Sequence, residues 1–198
     1  MCIRDSSNTK SDLQSWRPER LFRTCLSSLA DSNEFGRMME AEADLRGFYR
    51  AEKQAFVGDG LKYNWSIQQQ HFPTFTPILD ITHAIEHLYE AASAIRHDKS
   101  NAWDLYVSWM TACWQGKTAK IIDEMRLQQE VIGKPTPDCE DSDARKVLAD
   151  TITYLLNNQR RMDYPTYRRE GLPITSAHME SLVKEIGSDT NRLFKAAS

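Results

Sequence analysis

Two short apolar runs, each closed by an aspartate and separated by one helix-length segment, constrain this chain more than any other feature. The first, Gln54–Gly58, ends at Asp59-Gly60; the second, Thr76–Leu79, ends at Asp80. Between them, Leu61 to His71 carries Leu61, Trp65, Ile67 and Gln68 at helical spacing, and Pro73 stops the helix. Two strands joined through a helix by short connections form a parallel pair with a right-handed crossover. Both aspartates then arrive at the same edge, the C-terminal ends of the strands.

The flanking sequence extends this unit. Leu21–Leu26 reads as a strand, and Asp31-Ser32-Asn33-Glu34 starts a helix whose apolar positions Phe35, Met38, Met39, Ala43 and Leu45 run up to Gly47. From Ile81 onward the pattern is helical. Ile81–His97, Trp103–Gln115, Lys117–Ile132 and Asp143–Met162 carry the periodicity, with a polar, Pro-containing loop over 133–142. Leu88, Ile95, Trp103, Val107, Ile121 and Leu155 are expected to line the interior of this helical part. Of the tryptophans, Trp65, Trp103, Trp109 and Trp114 read as core. Tyr164–Glu170 is a short helix with Pro165 in its first turn, and Ser176 caps a last helix over Ser176–Ile186. The expected fold class is therefore α/β, a partial parallel sheet with a large all-helical insertion and helix dominating overall. The domain reading is a disordered or artefactual leader over 1–19, an α/β unit over 20–83 and a helical insertion over 84–161. A return segment over 162–186 and a divergent tail over 187–198 complete it. The first six residues, MCIRDS, resemble a translated sequencing-adapter read and take no part in the fold reading.

Carboxylates at strand ends are what a Mg²⁺ site for phosphoryl transfer requires, since Mg²⁺ prefers oxygen ligands. Asp59 and Glu180, the latter in Ser176-Ala-His-Met-Glu180, are the candidate catalytic and metal-binding residues; Asp80 and His83 support the motif. Each has a plainer explanation when taken alone. Asp59 suits an Asp-Gly turn or a helix cap, Asp80 a cap on the helix carrying His83, and Glu180 a surface ion pair with Lys184. A rival metal site uses His83 and His87, one helical turn apart with Glu86 and Glu90 nearby; the His-Glu-x-x-His motif of metalloproteases is absent.

Composition narrows the classes. The formal net charge is −3, so the whole chain is no polycation, although Arg160, Arg161, Arg168 and Arg169 cluster in one stretch. Four scattered cysteines without a CxxC pair read as free thiols in a reducing compartment. With no apolar run long enough for a membrane span and no signal-peptide core, the chain reads as cytoplasmic.

These residues carry a resemblance. The stretches RLFRTCLSSLADS, AFVGDGLKYNWSIQQQHFPTFTPILDITHAIEHLYEAA, the Trp-Gln-Gly at 114–116 and YLLNNQRRMDYPTYRREGLPITSAHMESLVKEI resemble DDE-class transposases of bacterial insertion sequences. That group carries an all-helical insertion within an RNase H-like domain, and the likeness covers residues 20–186. It implies that Asp59 is the second acid of the triad and Glu180 the third. It further implies that Asp80-Ile-Thr-His83 matches the Cys/Asp-x-x-His signature of Mutator-like members, with His83 beside the scissile strand. The implied cofactor is a pair of Mg²⁺ ions, and the implied partners are the DNA of transposon ends and target, with a homo-oligomer in the complete enzyme and no membrane. No upstream residue fits the first aspartate, and the segment after Gly187 departs from the family pattern. The expectation is a fragment truncated at both ends and inactive alone. The alternative is a non-catalytic helical DNA-binding or interaction module.

Overall fold

The computed structural model describes residues 26–96 and 98–176. Helix α1 (Ser32–Leu45) is followed by a single 3₁₀ turn at Phe48–Arg50, strand β1 (Ala55–Gly58), helix α2 (Lys62–His71) and strand β2 (Thr76–Leu79). Five further helices follow: α3 (Ile81–Ile95), α4 (Lys99–Trp114), α5 (Thr118–Ile132), α6 (Ala144–Asn158) and α7 (Tyr164–Arg169). A 3₁₀ turn at Gln159–Arg161 joins the last two. The expected strand over Leu21–Leu26 lies outside the described residues except for Leu26, and the expected helix over Ser176–Ile186 lies outside them except for Ser176.

Aspartate decides where most of these helices begin. Asp31, Asp80, Asp98, Asp143 and Asp163 each cap a helix by accepting a backbone N–H of its first turn. Those N–H groups have no partner within the helix, and a carboxylate there also meets the positive end of the helix dipole. At the other end of α1, Gly47 takes a φ of 70°, the left-handed geometry that glycine reaches without strain.

The strands pair in parallel, in the register Ala55↔Thr76 to Gly58↔Leu79, as the strand-helix-strand pattern requires. Both apolar residues at the end of β2, Ile78 and Leu79, are fully buried. They belong to one hydrophobic cluster that continues through Leu88, Trp109, Ile121, Met125, Leu148, Leu155 and Tyr164. The sheet and the helices α3 to α7 therefore share a core. Helix α3 is central to it: Ala84, Leu88, Ala91 and Ala92 are all buried, and their mostly small side chains let α4 and α6 pack close on the same helix. A smaller cluster of Ala43, Ile67, Phe72 and Phe75 sits under α1 and α2.

Among the residues expected inside the helical part, Leu88, Ile121 and Leu155 are fully buried, while Ile95 and Val107 are partly so. Trp103 is not inside; it is 56% exposed, and Trp114 is 45% exposed. The buried stripe of α4 runs through Ala102, Trp109 and Cys113. Trp103 and Trp114 each follow a member of that stripe by one residue, a rotation of about 100° away from the core. Trp103 packs beside Tyr106, which in turn meets Tyr89 edge-on. The Arg168 guanidinium covers the Trp114 ring at 3.7 Å and donates to the Trp114 carbonyl at 2.9 Å. Trp103→Ala should accordingly change stability by no more than about 1 kcal/mol in chemical denaturation.

Candidate functional site at the carboxyl edge of the sheet

The parallel pairing places Asp59 one residue beyond Gly58 and Asp80 one residue beyond Leu79, and the Asp80 N–H donates to the Gly58 carbonyl at 2.8 Å. The two aspartates therefore end neighbouring strands, but their environments differ.

Asp59 is half-buried. Its Oδ1 accepts from the Leu61 N–H at 2.9 Å and from Asn64 Nδ2 at 2.7 Å, which orients the carboxylate at the start of α2. Its Oδ2 accepts no hydrogen bond from the described residues. The Asp59 carbonyl is held separately, by the Tyr154 hydroxyl of α6 at 2.8 Å. Burial, with Asp59 and Asp80 adding negative charge, pushes the Tyr154 phenol up, so it remains a donor. Gly60 allows this approach. Its φ is 97°, and a Cβ there would lie 2.6 Å from the Tyr154 ring. Gly60→Ala should cost about 2 kcal/mol through strain and overpacking, read as a lowered denaturation midpoint.

Asp80 is fully buried. Its Oδ1 accepts from the Thr82 N–H at 2.8 Å; its Oδ2 accepts from the Ser176 N–H at 2.7 Å and from the Ser176 hydroxyl. Burial alone would push this carboxyl up, but the bonds from Ser176 and Thr82 to its ionised form outweigh that and leave it below the ordinary value. Two further contacts fasten the same segment: the Ile81 N–H donates to the Ile174 carbonyl at 2.9 Å, and the Thr82 and Thr175 hydroxyls lie 2.8 Å apart. Asp80 thus both caps α3 and clamps residues 174–176 to the edge where Asp59 lies.

His83 and His87 each face a glutamate of their own helix, Glu86 at 3.3 Å and Glu90 at 3.8 Å. The His87 ring also packs on Tyr154, with centroids 4.0 Å apart. Burial lowers the affinity of His87 for a proton, as does the charge of His83, while Glu90 and Glu86 oppose them; the net direction is down. The unfolded chain therefore binds that proton more readily, and His87 should subtract stability as pH falls through about 6.5. An NMR titration should find its imidazole below that value.

Among the described residues no group of three or more His, Cys, Asp or Glu side chains is arranged to hold a metal ion. Asp59 fits a metal ligand, with one oxygen oriented and the other without a hydrogen bond from the described residues. Asp80 does not, because both of its oxygens are occupied. Glu180, the other expected ligand, lies outside the described residues. Tyr154 and Ser176 are residues the sequence reading missed as partners of the two aspartates. Comparison of the chain with protein-family models, curated proteins and solved structures gives no match. Among the described residues, no helix is long and apolar enough to cross a membrane.

Proposed function

We propose that this chain belongs to the catalytic part of a DDE-class transposase, with an RNase H-like sheet interrupted by a helical insertion, acting on DNA with Mg²⁺. The observation that carries the reading is the arrangement at the carboxyl edge. Asp59 ends a strand with one carboxylate oxygen oriented, and residues 174–176 are fastened to Asp80 on the adjacent strand end. Glu180 follows Ser176 by four residues, so even a fully extended chain keeps its Cα within about 14 Å of that anchor. The clamp starts the chain toward Glu180 from the strand end next to that of Asp59.

In this reading Asp59 and Glu180 are two of three acidic ligands, the first coming from an earlier strand as the resemblance implies. Bound Mg²⁺ would supply Lewis-acid activation of the attacking oxygen and stabilisation of the leaving one at a DNA phosphate. The chain's own contribution is positional. Leu61 N–H and Asn64 fix the Asp59 carboxylate, Tyr154 fixes its backbone, and Asp80 fixes the return of the chain. His83, on the first turn of α3 beside this edge, is assigned to the scissile strand. On this reading the protein should carry out Mg²⁺-dependent strand cleavage of transposon-end DNA once a third acidic ligand joins Asp59 and Glu180. Cleavage that persists in excess chelator would contradict the metal assignment.

A further inference from the structure

A groove of about 830 Å³ opens beside Asp59, between α2 and α6, beginning at Gly60 and Leu61. Its lining includes Lys62, Tyr63, Gln69, Asn157 and Arg161, and no lining residue is acidic. Trp65 forms part of the wall. Its indole N–H donates to Asn158 Oδ1 at 3.0 Å, and the Arg161 guanidinium lies over its ring at 4.3 Å. Arg161 is held further by a bond to the Asn157 carbonyl at 3.0 Å. Among the described residues neither Lys62 nor Arg161 has a carboxylate partner in an ion pair. In a chain of net charge −3, an acid-free groove with two such cations is a local reversal of sign. Tyr63, 47% exposed, adds an aromatic face at the same groove.

We infer that this groove holds one strand of DNA on its way to Asp59, with Lys62 and Arg161 on successive phosphates and Tyr63 against a base. The inference rests on the reading of Asp59 as part of a DNA-cleaving site and adds to it the path of the substrate. Cations along a groove with an interleaved aromatic are what a single strand needs, since phosphate contacts supply affinity and every base offers a face for stacking. The Arg161 guanidinium is placed before DNA arrives, so little side-chain freedom is lost on binding.

The test uses the 198-residue chain with a fluorescein-labelled oligothymidine, read by anisotropy in chelator across a salt series. Lys62→Glu should weaken binding about tenfold at low salt, and Lys62→Gln and Arg161→Gln should each flatten the slope of log K against log salt by about 0.7. Tyr63→Ala should weaken binding about tenfold through lost stacking. Lys62 and Tyr63 are exposed, so neither change should disturb the fold; circular dichroism checks this. Wild-type affinity in Lys62→Glu or in Tyr63→Ala overturns the inference. Mn²⁺ binding, measured in parallel on the unsubstituted chain and Asp59→Asn, separates the two readings. If Mn²⁺ does not depend on Asp59 while Lys62→Glu loses DNA, the cleavage site falls and the groove stands. If Mn²⁺ depends on Asp59 while Lys62→Glu keeps DNA, the groove falls alone.

Discussion

On the proposed transposase reading, Asp59→Asn should reduce Mg²⁺-dependent DNA cleavage on the order of a thousandfold or more, about 4 kcal/mol of transition-state stabilisation. The substitution keeps the shape of the side chain. Its Oδ1 can still accept from the Leu61 N–H and from Asn64, so the turn into α2 should survive. What it removes is the negative charge that a hard cation requires. Glu180→Gln should match it in effect. The pair should be far from additive, because two ligands of one metal centre act as a unit. Far-ultraviolet circular dichroism and the denaturation midpoint should stay close to those of the unsubstituted protein. A variant that cut DNA at the unsubstituted rate while folded would remove Asp59 from the chemistry.

Asp80→Ala should do the opposite, harming the fold before the chemistry. The change strips partners from the Thr82 and Ser176 N–H groups and from the Ser176 hydroxyl, all satisfied by one fully buried carboxylate. Charged acceptors are worth more than neutral ones, and unsatisfied buried donors carry a desolvation penalty; a loss of roughly 3 kcal/mol follows. The pH dependence has a definite sign. The folded-state pKa of Asp80 lies below its ordinary value of 3.8. Its stabilisation is therefore complete above about pH 4 and disappears as pH falls through the folded value. Denaturant midpoints measured from neutral pH downward should show this acid loss in the unsubstituted protein and a shallower one in Asp80→Asn. Residues 174–176 should also become accessible to proteases in Asp80→Ala, since the clamp is what fastens them.

Much of this architecture was legible in the sequence because it is local. The apolar runs that end at Asp59 and Asp80, the helix between them and the short connections leave parallel pairing as the solution, and the structure has it in the register Ala55↔Thr76. Helix starts were legible for the same reason, since an aspartate cap acts within one turn. Trp103 and Trp114 were misjudged because bulk and hydrophobicity do not say which side of a helix faces the core. One residue of rotation put them beside Tyr106 and under Arg168 instead.

The site was legible only in its acids. Asp59 meets Tyr154 and Asp80 meets Ser176 across 95 and 96 residues of sequence, respectively. No short pattern announces such contacts. They exist because α6 packs on α3 and because residues 174–176 return to the carboxyl edge of β2. A tyrosine in an amphipathic helix looks like any other core residue until its hydroxyl has a carbonyl to reach. Gly60 was the one signal available, a glycine after a strand-end acid where a backbone must approach closely, and Tyr154 is what approaches it.

The central claim is that Asp59 and Glu180 share a divalent cation. Mn²⁺ added to the ¹⁵N-labelled chain tests it directly, because the paramagnetic ion broadens amide signals near its site. The account predicts that signals of residues 58–61 and those around Glu180 broaden together at the same Mn²⁺ concentration, and that both effects vanish in Asp59→Asn. Broadening at one of these segments without the other, or broadening of both that survives Asp59→Asn, would contradict it.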